Sequence, residues 1–255
     1  MKNIFTAILF AGALFSISAC STNQKELSDN KETSTTSSMN QVNKEEHIDY
    51  DHQDEWEFVS EKMQSPIDIP TSEVENMSPD LGTIVLDYGI EITNAENNGH
   101  SIQIEDGGKA EINGRNFELT QFHFHAESEH TIDGKHYPME VHFVNKAQDG
   151  RLAVIGVFFK EGAENKGFQE VLDNVNNGKT EPITDLNEML PENKSYYHYL
   201  GSLTTPPLSE NVEWYVMKNS VEVSKEQIKS FKKLYAHNNR EIQPLNDRAI
   251  IAYTE

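Results

Sequence analysis

The sequence predicts a mixed but mostly β fold: a single domain with a large, mostly antiparallel, twisted central sheet and short peripheral helices. Runs with alternating apolar and polar residues dominate the chain from Thr83 onward. Only two segments carry a helical pattern. The chain has 255 residues, of which 36% are hydrophobic, and a chain of this size and composition forms one sizeable core.

The β-rich runs account for most of the predicted elements. Each is rich in β-branched or aromatic residues and is bounded by residues typical of turns. Asn113-Gly114 lies between two such patterns and predicts a tight hairpin turn. The predicted strands are Thr83–Thr93, Ser101–Glu105, Glu111–His125, Met139–Asn145, Leu152–Lys160 and Val212–Lys218.

Helical signals are few. One helix is predicted from Phe168 to Val175. For the other, Ser224-Lys-Glu-Gln227 predicts a capping box, because serine and glutamine three residues apart can satisfy each other's backbone N–H groups. An apolar stripe at helical spacing follows it: Ile228, Phe231, Leu234 and Tyr235.

The N-terminus predicts export. A short basic start precedes an apolar run from Ile4 to Ile17, which is too short and too terminal for a confident membrane span. Ile17-Ser-Ala-Cys20 resembles the lipobox of bacterial lipoproteins, in which the cysteine is lipidated after cleavage. An ordinary secretory signal or a retained anchor is the alternative.

The predicted organisation is therefore a signal peptide over 1–19, a lipidated Cys20 with a disordered tether over 20–46, and a folded domain over 47–255. The tether is polar with almost no apolar residue, so it cannot bury enough surface to order itself. The protein is therefore predicted to be exported and lipid-anchored at the cell envelope, on the outer face of the plasma membrane or in the periplasm or outer membrane. Because Cys20 is the only cysteine, the folded part has no thiol for a disulfide or a metal.

The charge balance argues against nucleic acid as a partner. The chain has 21 basic and 42 acidic residues, a formal net charge of −21, which repels phosphate backbones and anionic bilayers. Membrane contact is expected only through the lipid. The sequence indicates no protein partner.

Three histidines predict a metal site. His123 and His125 share one face of a strand because side chains repeat every second residue, and His142 lies on another predicted strand. Three imidazoles leave a fourth tetrahedral position open, which is typical of catalytic zinc. Solvated surface histidines are the simpler explanation. Against it, Gln121 and Glu140 each precede a histidine by two residues, where their oxygens can accept its distal N–H.

The chain resembles the alpha-class carbonic anhydrases from about Trp56 to the C-terminus. The motifs that carry the resemblance are Gln64-Ser-Pro-Ile-Asp-Ile69, Asn97-Asn-Gly-His100, Gln121-Phe-His-Phe-His125, Ser128-Glu-His-Thr131, Met139-Glu-Val-His142, Leu152-Ala-Val-Ile-Gly156, Tyr199-Leu-Gly-Ser-Leu-Thr-Thr-Pro-Pro207, Asn238-Asn-Arg240 and Gln243-Pro-Leu245. The resemblance implies the alpha-carbonic anhydrase fold and zinc-dependent, reversible hydration of carbon dioxide to bicarbonate and a proton.

Residue by residue, the resemblance implies that His123, His125 and His142 hold Zn²⁺. Hydroxide in the fourth position would attack carbon dioxide. The residue matching Thr204 would accept the hydrogen bond of that hydroxide and pass its own proton to the residue matching Glu129.

The resemblance also implies how proton and substrate are handled. His100 matches the proton shuttle, and an ordinary imidazole pKa near 6.5 suits that task. An exposed turn histidine is the simpler alternative. Thr205 matches a polar contact near the substrate, and four residues match the apolar wall that receives carbon dioxide: Val144, Val154, Leu203 and Trp214.

The chain departs from the bacterial pattern at three places. Glu127 stands where proline is frequent, and Leu208 stands where the second cysteine of a disulfide would fall. Tyr50 lies only six residues before Trp56, a shorter interval than the family pattern, so no role is assigned to Tyr50.

Two alternative functions stay open at this level. A carbonic-anhydrase-like binding module without metal is one, although all three histidines are present. The other is a cupin, because His123, His125 and Glu129 followed by Gly134 partly match the first cupin motif. In that fold Glu129 would be a metal ligand.

Overall fold

A computed structural model describes residues 48–57, 60, 62–77 and 82–255. The predicted signal peptide over 1–19 and the whole predicted segment over 20–46, with its anchor Cys20 and tether, lie outside the described residues, so they stay predictions. The described residues belong to one compact unit, Glu45–Glu255. No helix within the described ranges has the length and apolar character needed to cross a membrane.

Strands dominate the described chain. Within it they are β1 (Asp68–Ile69), β2 (Glu75–Asn76), β3 (Ile84–Asn97), β4 (Ile102–Ile112), β5 (Arg115–His125), β6 (Thr131–Ile132), β7 (Met139–Lys146), β8 (Leu152–Glu161), β9 (Tyr196–Ser202), β10 (Glu210–Met217), β11 (Val221–Val223) and β12 (Ile251–Tyr253).

One large sheet organises these strands in the order β2-β12-β9-β10-β8-β7-β5-β4-β3, and β11 pairs with β8 beside this path. The pairs from β8 through β7, β5 and β4 to β3 are all antiparallel. β10 pairs with β8 in parallel, as do β11 with β8 and β12 with β2. The predicted fold class is therefore confirmed, with a mixed rather than purely antiparallel sheet.

The β4–β5 hairpin follows its sequence signal closely. Asn113 and Gly114 both have positive φ, 52° and 72°, which is the backbone that a two-residue turn of this kind requires. The turn fixes the register so that Ile112 lies opposite Arg115. It thereby decides which residues of β5 face each side of the sheet.

In the part of the chain that the structure describes, two helices and two short 3-10 turns cover the periphery: α1 (Lys166–Asn177), α2 (Lys225–Lys232), Gln53–Glu55 and Leu186–Met189. Asn165 caps α1 by accepting a hydrogen bond from the N–H of Phe168. The predicted Ser224–Gln227 capping box is present at α2. Leu234 lies beyond the end of α2 and is 39% exposed, so the predicted stripe is two residues too long.

The two faces of the sheet bury different kinds of side chain. On β5, Phe122 and Phe124 point into the larger apolar cluster, together with Phe143 of β7. The histidines of the same strands therefore point to the opposite face. That face carries a smaller apolar cluster around Trp214 and Val154, and the metal-site residues lie beside it.

Candidate metal centre

Adjacent strands bring the three predicted histidines together. His123 of β5 lies directly opposite His142 of β7, and His125 lies two residues along on the same face. Each residue offers one ligand atom, and these atoms all lie within 4.8 Å of one another. His125 and His142 are buried, whereas His123 is partly exposed. The arrangement is a tight group of nitrogens with one accessible side.

A hydrogen-bond acceptor lies beside the distal nitrogen of each ring. Nδ1 of His123 lies 2.8 Å from Oε1 of Gln121, and Nδ1 of His125 lies 2.6 Å from the carbonyl oxygen of Asn238. Nε2 of His142 lies 3.0 Å from Oε1 of Glu140. These contacts leave Nε2 of His123, Nε2 of His125 and Nδ1 of His142 to face the centre of the group.

The facing nitrogens fit a metal ion. Nε2 of His125 is buried and has no hydrogen-bond partner within the described part of the chain. A buried polar atom without a partner costs free energy unless something binds it. Burial lowers the pKa of His125, and it lowers the pKa of His123 well below the ordinary value, with the neighbouring imidazoles adding to that effect. Both rings are therefore neutral at physiological pH, which is the form that coordinates metals.

Glu140 anchors the rear of the centre. Its Oε2 accepts hydrogen bonds from the backbone N–H groups of Glu129 and His130, each at 2.9 Å, and Nδ1 of His130 lies 2.8 Å from its Oε1. Burial raises the pKa of Glu140, but His130 and His142 outweigh burial and hold that pKa well below its usual range. Glu140 is therefore a buried, ionised acceptor that fixes His142.

His130, Glu140 and His142 form a second group with metal-ligand spacing, but hydrogen bonds already occupy it. Nε2 of His130 lies 2.6 Å from the hydroxyl of Tyr199, which lies 2.8 Å from the hydroxyl of Ser65. Every polar atom of His130 is thus engaged. This group is a support for the first one and not a second metal site.

Gly156 makes room for that support. It lies opposite His142 on β8, and a Cβ atom added there would meet Oε1 of Glu140 at 2.8 Å. Real Cβ atoms do not approach so closely, so only glycine allows the carboxylate to sit against the strand. The sequence around Gly156 does not reveal this role, because a glycine within a strand pattern indicates a close contact but not its partner.

Asn238 is a further residue that sequence reasoning missed as part of the site. Besides accepting from His125, it donates from Nδ2 to the carbonyl oxygens of His100 and Phe124 at 3.0 and 2.8 Å. Its Oδ1 accepts from the N–H of Ala126 at 2.9 Å. Asn238 therefore ties β5 to the turn that carries His100. Its distance along the chain from both gives no local signal of that contact.

Thr204 and Glu129 are both buried near the centre, but no hydrogen bond joins them in the described structure. Oε1 of Glu129 accepts from the N–H of Arg240 at 2.7 Å. Oε2 is buried and has no hydrogen-bond partner among the described residues. Glu129 belongs to neither of the described groups that can hold a metal, which contradicts the cupin-like alternative.

The four residues predicted to form an apolar wall do lie together. Val144, Val154 and Trp214 belong to one buried cluster, and Leu203 packs against it. The ring of Trp214 lies 4.8 Å from that of His142, measured between centroids. Thr205 is half-buried beside Thr204. The wall therefore adjoins the histidine group directly.

His100 is half-buried in the turn between β3 and β4. It is close enough to His123 to contribute to lowering the pKa of that ring. Asn98 shapes the turn, since its Oδ1 accepts from the N–H groups of His100 and Ser101 at 3.2 and 2.8 Å. The position suits proton exchange between the centre and solvent.

The structure describes all three residues at which the sequence departs from the bacterial family pattern: Glu127, Leu208 and Tyr50. The Glu127 side chain is 56% exposed, and its Oε1 lies 3.7 Å from Nζ of Lys232, so its charge is directed towards a lysine. Leu208 is buried and has a φ of 57°. Tyr50 is buried, and its ring packs edge-on against Trp56 at 5.4 Å. The short interval between Tyr50 and Trp56 therefore still forms a packed aromatic pair.

Comparison with known proteins gives a consistent result. The model of the eukaryotic-type carbonic anhydrase family matches residues 49–254. A carbonic anhydrase of Nostoc sp. is 40% identical over 199 residues, covering 74% of this chain and 75% of that protein. One from Klebsiella pneumoniae is 41% identical over 198 residues, covering 74% and 79%. The solved alpha-carbonic anhydrase of Thermovibrio ammonificans with the inhibitor sulfanilamide has a TM-score of 0.69 and 43% identity, covering 74% of this chain and 87% of that chain.

Proposed function

The chain belongs to the eukaryotic-type, or alpha, carbonic anhydrase family, whose members hydrate carbon dioxide reversibly, and we propose that it does so with zinc held by His123, His125 and His142. The observation that carries this proposal is the convergence of three ring nitrogens whose distal partners are all acceptors. Nitrogen ligands in this number suit zinc with one open position. When bound, zinc supplies the Lewis acidity that lets water ionise near neutral pH.

Thr204 and Glu129 orient the nucleophile in this proposal. The Thr204 hydroxyl accepts a hydrogen bond from the attacking hydroxide and donates its own hydrogen bond to Oε2 of Glu129. The support for this step is that Oε2 is buried without a hydrogen-bond partner in the described structure, its contact being Nδ1 of His142 at 3.8 Å, while Oε1 already accepts from the N–H of Arg240. A carboxylate can only accept, so it fixes the direction of the Thr204 hydroxyl.

Carbon dioxide binds against the apolar wall. The substrate has no strong hydrogen-bonding group, so an apolar surface formed by Val144, Val154, Leu203 and Trp214 receives it without a desolvation cost. Thr205 supplies a polar contact at the edge of that surface. Bicarbonate is charged, and the apolar wall therefore favours its release.

His100 takes the product proton towards solvent. Its half-buried position beside His123 supports this assignment. An imidazole with a pKa near 6.5 both accepts and releases a proton at neutral pH.

The envelope is the proposed place of action. The proposal is supported by the N-terminal pattern that ends in Cys20. If it is right, Cys20→Ser moves the protein from the membrane fraction to the soluble fraction without changing its activity. Continued membrane association of that variant would contradict lipidation of Cys20.

The test of the enzyme is stopped-flow hydration of carbon dioxide, with zinc content determined on the same purified protein. Rapid hydration that a chelator abolishes and zinc restores is the expected result. His123→Ala, His125→Ala and His142→Ala each lose zinc and activity, whereas His52→Ala, an exposed histidine away from the centre, loses neither. A folded, metal-free and inactive protein would instead favour the binding module.

A further inference from the structure

A small pocket adjoins His100 on its solvent side. Its volume is about 200 Å³, and it lies between the N-terminal arm, residues 48–57, and the segment that follows α2. The titratable side chains that line it are those of Asp49, Tyr50, Asp51, His100, Tyr235 and His237. Two imidazoles therefore line the same small pocket as two aspartates.

The pocket walls are tied to the metal centre. Asn238 follows His237 in the chain, accepts from His125 and donates to the carbonyl oxygen of His100 at 3.0 Å. Tyr235 donates to Oδ1 of Asn97 at 2.5 Å. Hydrogen bonds thus hold the His237 segment against the turn that carries His100.

The N-terminal arm closes the other side. Oε1 of Gln53 accepts from the N–H of Glu241 at 2.9 Å, and its Nε2 donates to the carbonyl oxygen of Asn239 at 3.4 Å. Asp51 then reaches across, so that its Oδ1 lies 3.2 Å from Nε2 of His237. The pair stays open to solvent, since 48% of the His237 side chain is exposed.

We propose that His237, paired with Asp51, receives the product proton from His100 through water in this pocket and passes it to a buffer base. This inference rests on the proposed function. In the first transfer the His100 imidazolium loses a proton and the His237 imidazole gains it. In the second the His237 imidazolium protonates the basic form of the buffer, so both rings return to their starting state.

The other groups around the pocket suit this transfer. Asp49 lines it and pairs with His52 on the arm, at 2.8 Å. That hydrogen bond raises the pKa of His52. Burial raises the pKa of Tyr235, so this tyrosine stays neutral and does not compete for the proton.

The kinetic test uses the zinc-loaded protein with His237→Gln, Asp51→Asn and the control His52→Gln. The control removes another exposed, aspartate-paired imidazole, one that lies on the N-terminal arm, but His52 does not line the pocket. In about 1 mM buffer, His237→Gln lowers kcat about three- to tenfold. This loss is smaller than that expected for a group that takes the proton directly from the centre, because water gives the proton other routes to solvent. Asp51→Asn has a smaller effect in the same direction.

Two features separate this effect from structural damage. kcat/KM is unchanged, because carbon dioxide reacts before the proton leaves, and about 50 mM imidazole restores kcat, because buffer then collects the proton directly. If His237→Gln behaves like His52→Gln in weak buffer, the proposal is overturned.

A second measurement does not depend on activity. Removal of His237, a neighbour that can become positive, raises the pKa of His100 in an NMR titration, and His52→Gln leaves it unchanged. An identical His100 titration in His237→Gln would overturn the coupling. If instead the parent protein hydrates no carbon dioxide while this coupling is present, the proposed function has failed rather than the link between the two histidines.

Discussion

Three different acceptors fix the three imidazoles at the metal centre: the side-chain amide of Gln121, the backbone carbonyl of Asn238 and the carboxylate of Glu140. Each selects which ring nitrogen is left for the metal. Only Glu140 carries a charge, and it is itself held by two backbone N–H groups and by His130. The acceptor beside His142 is therefore itself held firmly in place.

Thr204→Ala lowers kcat about 100-fold, because the nucleophile loses the group that orients it. Thr204→Ser keeps the hydroxyl and retains most of the activity. Stopped-flow hydration, with zinc content measured on each protein, distinguishes this effect from loss of metal. Normal turnover in Thr204→Ala would remove Thr204 from the mechanism.

Gly156→Ala weakens zinc binding about tenfold, because the new Cβ displaces the carboxylate of Glu140 from His142. Gly107→Ala makes the same chemical change on β4, where no atom lies within 4 Å of the added Cβ. Competition with a chromophoric chelator measures both affinities. Equal affinities in the two variants would show that Glu140 does not depend on the space beside Gly156.

At the scale of elements, β4 is the least regular strand near the site. Its pairing shifts register against β3 between Tyr88 and Ile92, and against β5 between Glu105 and Lys109. Asp106 lies within this irregular stretch. It is only 6% exposed, and its Oδ2 has no hydrogen-bond partner among the described residues. Burial raises the pKa of Asp106 to about 6.

This pKa has a definite consequence for stability. Below about pH 4 Asp106 is protonated in both folded and unfolded chains, whereas above pH 6 it must be ionised while buried. The folded state is therefore penalised as pH rises from 4 to 6. Asp106→Asn removes that penalty and raises the free energy of unfolding by about 1 kcal/mol at pH 7.5, with little gain at pH 4.5.

Urea unfolding of the parent, Asp106→Asn and the exposed control Asp87→Asn at the two pH values tests this expectation. The control is on β3, at a residue that is exposed, and its difference from the parent is small at both pH values. A gain for Asp106→Asn that is the same at pH 7.5 and pH 4.5 would contradict the role assigned to ionisation.

For the whole molecule, the sequence predicted what depends on local pattern. Alternation on β5 and β7 predicted that the histidines share one face, and the Asn113-Gly114 turn predicted the β4–β5 hairpin; the register of β5 against β7, which aligns His123 with His142, has no local signal. The strand Tyr196–Ser202 was missed, because its aromatic residues are buried on both faces and show no alternation. Asn238 and Gly156 were not recognised as parts of the site because their partners are distant in the chain.

The absence of a second cysteine gives a prediction for the molecule as a whole. Leu208 occupies the place of the family's second disulfide cysteine and is buried, so no thiol of the folded domain is available for a cross-link. Dithiothreitol therefore leaves the thermal unfolding midpoint unchanged. Calorimetric scans of the parent and of Cys20→Ser, each with and without reductant, measure this, and a lower midpoint with reductant would refute it.

Because β10 follows β8 by about fifty residues, its parallel pairing with β8 forms late during synthesis. All three histidines proposed to hold zinc belong to the antiparallel β5–β7 pair, which is complete once residue 146 has left the ribosome. Trp214 reaches its place beside Val154 only when β10 docks in parallel on β8, and Asn238 follows later still. Pairings between segments so far apart form slowly. A nascent chain therefore possesses the three imidazoles of the candidate metal centre well before it possesses the apolar wall proposed to receive carbon dioxide.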